Sequence, residues 1–136
     1  MYIIVAIVLG LLGCLSLWKV EQHRRSVKCR RLADRAKLSV ADLVRKSFPN
    51  QRDISDDLEH WWVKSASILR LDPGLLRSED RFDGVLSPVD GYLGEDEIEE
   101  LGAIVEEQAP GSITLVDRTL DTFGDYVLHM ATYSKN

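Results

Sequence analysis

Between Tyr2 and Trp18 the chain has no charged residue and no proline, and no lysine or arginine precedes Lys19. The first absence leaves YIIVAIVLGLLGCLSLW, which Val20 extends to about nineteen positions. At about 1.5 Å per residue this approaches the ~30 Å hydrocarbon core of a bilayer. It predicts one transmembrane helix over residues 1–20, with Tyr2, Gly10 and Trp18 among its anchoring positions. A cleaved signal peptide has a basic start and a small-residue cleavage site. Here nothing basic comes first, and Lys19, Glu21 and His23 follow with no A-x-A pattern. A small core seldom demands so long an apolar helix. The second absence orients the span. Lys19, Arg24, Arg25, Lys28, Arg30 and Arg31 all lie just behind it, so the positive-inside rule places the C-terminal side in the cytoplasm, with only Met1 outside.

Cysteine and histidine are scarce. Cys14 falls in the span and Cys29 just beyond it, which excludes an intradomain disulfide. Cys29 reads as an inert thiol, with acylation near the membrane as the alternative. His23, His60 and His129 are scattered, and none pairs at ligand spacing with Cys or His, which argues against zinc. Asp80, Asp83-Gly84 and Asp90-Gly91 hint at calcium loops. Aligning Gly84 to the loop glycine, however, puts Arg81 at a ligand position, and no glutamate closes the loop. There is no glycine-rich phosphate loop and no nucleophile motif. The expectation is no enzyme, no metal and no cofactor. No alternating strand pair appears either, so the class is all-α, with a small helical bundle behind the anchor.

What the chain does have is a division of charge. Lys19 to Arg52 holds eleven Lys/Arg against three Asp/Glu, a net of +8, and Asp53 to Asn136 holds six against nineteen, a net of −13. The layout expected is a span over 1–20, a basic juxtamembrane stalk and linker over 21–52, and an acidic domain over 53–136. The six cations behind the span are candidate lipid headgroup contacts, each gaining on the order of 1 kcal/mol near an anionic leaflet; obedience to the topology rule alone also explains them. The acidic domain should be pushed off that surface. An acidic domain also argues against nucleic acid, whose phosphates need a basic face. Ala6, Gly10 and Cys14 share one face of the span at four-residue spacing, a pattern that lets two spans approach and offers a route to a homo-oligomer.

Glu21 to Arg31 is polar and reads as a helical continuation with no face to bury. Leu32, Ala36, Val40, Leu43, Val44 and Phe48 recur at helical spacing, predicting one helix over 32–48 closed by Pro49. It could pack on the domain or on a second chain. Asp56 with Glu59 predicts a cap pair for the next helix, whose stripe is Leu58, Trp61, Trp62, Ala66 and Leu69. Trp61 and Trp62 are expected in the core with Phe82 and Tyr126, the alternative being one indole left exposed for a partner. Asp72-Pro73-Gly74 is a stop and turn. Leu71, Leu76 and Phe82 pin the loop after it. A further helix starts near Glu95 with Ile98, Leu101, Ile104 and Val105 inward, and Pro110-Gly111 ends it. Ile113, Leu115 and Val116 lie in a short connection or a single helical turn. Thr122 caps the last helix with Asp125 three residues on, and Phe123, Tyr126, Val127 and Met130 form its inner face.

This order resembles an acyl carrier protein over roughly Leu58 to Ala131. An Ile-Leu pair (Ile68, Leu69) ends the first domain helix, and Leu71, Leu76, Phe82 and Leu86 follow at the family's spacing. Thr122-Phe123-Gly124-Asp125-Tyr126-Val127 is similar to the Thr-Val-Gly-Asp-Leu-Val that opens the family's last helix. Carrier proteins open their second helix with Asp-Ser-Leu, where the serine bears phosphopantetheine. That position falls here on Asp90 or, in the other register, on Glu97, and neither is a hydroxyl. Ser87 is the nearest serine, but it precedes proline and lies ahead of the helix. The resemblance implies a carrier-like fold without carrier chemistry. It also implies a docking surface on the second helix, with Asp96, Glu97, Glu99, Glu100, Glu106 and Glu107 facing a basic patch on a protein partner. The alternatives are a working acyl carrier modified at Ser87, in lipid or polyketide synthesis, and a self-assembling structural membrane protein joined through Ala6, Gly10 and Cys14.

Overall fold

A polar, proline-free stretch that follows an apolar helix gives the backbone no reason to break. In the computed structural model of the chain, which describes residues 1–87, 97–108 and 120–134, α1 accordingly runs unbroken over Tyr2–Arg31. At 30 residues it is about 45 Å long. None of its apolar window is buried, and it is long and apolar enough to cross a bilayer, which removes the core-helix reading. Among the described residues four more helices follow: α2 (Val40–Ser47), α3 (Ser55–Ile68), α4 (Glu97–Gln108) and α5 (Phe123–Tyr133), with a 3₁₀ turn, Arg52–Ile54, leading into α3. Among the described residues the only β pairing is one antiparallel bridge, Arg81 with Thr122. The fold is all-α, as expected.

The bundle is built around α3, which packs against α2, α4 and α5. Its predicted stripe, Leu58, Trp61, Trp62, Ala66 and Leu69, is buried throughout. Both indoles are interior and both N–H groups are satisfied, as a buried indole requires. Trp62 meets Phe123 edge-on at 4.9 Å and donates to the Pro73 carbonyl at 3.0 Å, while Trp61 donates to Ser134 Oγ at 3.1 Å. On α5 the Thr122–Asp125 capping box is complete, and Phe123, Tyr126, Val127 and Met130 are buried. Helix α3 ends in a left-handed residue, Arg70 at φ 57°. The Leu71 N–H reaches back to Ala66 O and the Arg70 N–H to Ser67 O, closing the orphan carbonyls of the last turn.

Three expectations before α3 need correction. The segment 32–48 is not one helix: α1 ends in a turn after Arg31, and Ser39 caps a new helix by accepting from Asp42 N at 3.2 Å. The polar end of α1 does bury a face, since Lys28 is 5% exposed and Leu32 just after it 1%. The expected Asp56–Glu59 cap is not made; α3 has no side-chain cap and is entered through the 3₁₀ turn. Leu32, Leu43 and Val44 share one apolar cluster with the α3 and α5 residues, so α2 packs on its own bundle and the core draws on both sides of Asp53. On α4, Leu101 and Val105 are buried, with Ile98 and Ile104 partly so. Asp90, Glu95, Asp96, Pro110-Gly111, Ile113, Leu115, Val116 and the side chain of Tyr2 lie outside the described residues.

Candidate functional site

Helix α4 buries positions 97, 101 and 105, one inward stripe at four-residue spacing that is apolar at Leu101 and Val105, so the glutamates between them are forced outward. Glu99, Glu100, Glu106 and Glu107 are exposed, and none of them pairs with a described basic residue. Glu97 stands apart. Its side chain is 11% exposed, with Lys28 Nζ 2.9 Å and Arg24 Nη2 3.8 Å from its carboxylate. Burial works to raise its pKa, but the Lys28 ammonium, its own backbone N–H and the Arg24 charge outweigh that and hold it below the ordinary carboxylate range. Glu97 is therefore an internal group tying α4 to α1, not part of a free acidic surface.

Beside the acidic face lies a cleft of about 440 Å³, whose floor is Phe82, Ile98, Leu101, Val105, Leu120 and Tyr126. Glu99 and Glu106 stand on its rim. Tyr126 anchors the floor: its hydroxyl donates to the Leu101 carbonyl at 3.1 Å, and burial pushes the phenol pKa well above its usual value. Phe82 meets it edge-on at 6.2 Å. The acidic rim is legible as spacing along one helix. The apolar floor is not, because Phe82, Leu101 and Leu120 come together only through the fold.

The basic residues behind the span divide into two groups. Lys19, Arg25 and Arg30 are exposed. Arg24 and Lys28 turn to Glu97, and Arg31 donates from Nη1 to the Ser87 carbonyl at 2.7 Å and to Ser87 Oγ at 3.1 Å. Headgroup contact through Lys28 is thus corrected: its ammonium is inside the bundle. Elsewhere too, opposite charges meet within the chain. Arg35 grips Asp80 through two 2.7 Å bonds, Lys37 pairs with Asp72 at 2.7 Å, and Arg70 pairs with Glu21. Ala6, Gly10 and Cys14 are exposed on α1, and a Cβ at Gly10 would meet nothing within 4 Å. Among the described residues no three His, Cys, Asp or Glu converge as metal ligands would.

The chain matches no protein-family model, no curated protein and no solved structure. An N-terminal apolar helix carrying a small helical bundle is what the molecule shows, and the likeness to acyl carrier proteins rests on the residues quoted above.

Proposed function

We propose that this protein is a single-pass, membrane-anchored, non-catalytic docking module. Its bundle lies on the cytoplasmic side, is carrier-like in helix order, and receives a basic amphipathic segment of another protein on α4. One observation carries the reading: an apolar cleft rimmed by Glu99 and Glu106, two exposed carboxylates that no described cation neutralises. Such a surface suits a helix with an apolar face and flanking Lys or Arg. Glu100 and Glu107, on the outer side of α4, extend the same field and would speed encounter more than they hold the complex.

The competing reading, a working carrier modified at Ser87, has less support. Arg31 already engages both the hydroxyl and the carbonyl of Ser87, and the register position on Glu97 holds a carboxylate committed to Lys28. Incubation with a phosphopantetheinyl transferase and coenzyme A separates the two. The docking reading expects no mass increase, and one abolished by Ser87→Ala would replace it.

Docking by charge around an apolar floor predicts salt-sensitive retention. In pull-downs from native membranes, raising salt from about 0.05 to about 0.5 M is expected to reduce partner recovery about tenfold. The double variant Glu99→Gln, Glu106→Gln should do the same at low salt. Recovery that ignores both changes would overturn the reading.

A further inference from the structure

The bundle stands close to the bilayer. Trp18 ends the apolar run, and α1 continues without a break. Glu21 is about 4.5 Å further along the axis, within the polar layer of about 5–8 Å on each side of the hydrocarbon. The Arg25 backbone is about 10 Å along, just past that layer, with a long side chain that a helix tilts back toward its N-terminus and so toward the bilayer. Arg70, in the turn after α3, reaches Glu21. That turn is thereby drawn to the depth of the headgroups. Between it and α1 lies a cleft of about 600 Å³, whose lining includes Glu21, Gln22, Arg25, Arg70, Asp72 and Pro73.

The charges of this cleft are unevenly committed. Asp72 is held by Lys37 Nζ at 2.7 Å and by the Gly74 N–H at 2.9 Å, which keeps its pKa low. Glu21 is held by Arg70. Arg25 is exposed and has no ion-pair partner among the described residues. Of the cations near it on α1, Arg24 and Lys28 are turned to Glu97 and Arg31 to Ser87. Arg25 is left facing the cleft with Arg70 across from it, and a guanidinium pair suits a phosphate geometrically.

We propose that this cleft binds the phosphate of one anionic phospholipid, with Arg25 and Arg70 as its ligands. The lipid is the source because the cleft opens at headgroup depth, where lipid phosphate is concentrated and soluble phosphate is not. Arg70 holds Glu21 through Nη1 alone and would offer its remaining guanidinium N–H groups to the phosphate, so the pair that places the turn is kept. The inference rests on α1 spanning the bilayer and is independent of the docking surface on α4.

The test uses the full chain in nanodiscs of equal phosphatidylglycerol and phosphatidylcholine, with native mass spectrometry of the lipid retained. One phosphatidylglycerol is expected to stay bound in preference to phosphatidylcholine. Arg25→Gln and Arg70→Gln should each cut that preference about fivefold, the factor that about 1 kcal/mol per cation gives. Lys46→Gln, on α2, should leave it unchanged. Equal retention of the two lipids, or a preference untouched by Arg25→Gln, overturns the site. Glycerol 3-phosphate should not displace the lipid at millimolar concentration; if it does, a soluble phosphate is the ligand and the lipid assignment falls. A chain that fails to enter nanodiscs overturns the span itself, a result seen before any lipid is counted.

Discussion

A methyl group at Gly124 has no room. Its Cβ would stand 2.8 Å from both Cβ and O of Ser78, and the Gly124 N–H donates to that same carbonyl at 2.9 Å. Backbone does not yield as a side-chain tip would, so Gly124→Ala must push α5 away from the 78–82 loop. A loss of about 2 kcal/mol is expected, read as a fall in Tm of roughly 10 °C for a bundle of this size. The glycine is visible in the sequence as one letter of Thr122-Phe123-Gly124-Asp125, but the reason for it is not, because Ser78 lies far up the chain. The Thr122–Asp125 capping box is the opposite case: donor and acceptor are three residues apart, so local spacing alone identifies it. Nearness in sequence was necessary for legibility and not sufficient: Asp56 and Glu59 have the same spacing and make no cap, while Ser39 caps α2 at a position the spacing had placed inside a helix.

At the scale of elements, the join between α1 and α4 has a pH dependence whose sign is fixed by Glu97. Its pKa is lower in the folded chain than its ordinary value. A carboxyl of this kind contributes stability that is complete above its unfolded pKa and is lost as the pH falls through the folded one. Acidification from neutral to about pH 3 is therefore expected to loosen α4 from α1, seen as lower protection factors (exchange relative to the intrinsic rate at each pH) in the first turns of α4. Glu97→Gln should lower that protection already at neutral pH and leave it nearly independent of pH; protection that is unchanged in the variant would remove the tie. Helix positions on α3 and α5 were readable because each buries a stripe of its own at helical spacing. The polar end of α1 was not. Its one deeply buried charged residue, Lys28, looks like its exposed neighbours until Glu97 is placed beside it.

For the whole molecule, the +8 and −13 halves of the sequence read as a stalk and a separate domain, yet they are the two sides of shared ion pairs. Cutting between them should be damaging. Residues 21–136 retain Leu32, Leu43, Val44 and the Arg35–Asp80 pair, and are expected to melt cooperatively in solution. Residues 53–136 lose all four and leave Asp80, whose side chain is 2% exposed, without its guanidinium. Stranding a buried charge costs about 3–5 kcal/mol, a large part of the ~5–15 kcal/mol that keeps a small domain folded. The shorter piece should show little cooperative unfolding by circular dichroism, and a sharp transition equal to that of 21–136 would refute this. The unbroken α1 has one more effect, a mechanical one. From Trp18 to Arg31 it is a stiff boom of about 20 Å with cargo lashed along its side. A lean of about 20° within the bilayer sweeps its tip sideways by about 7 Å, so a thicker or thinner membrane would re-aim everything the bundle presents.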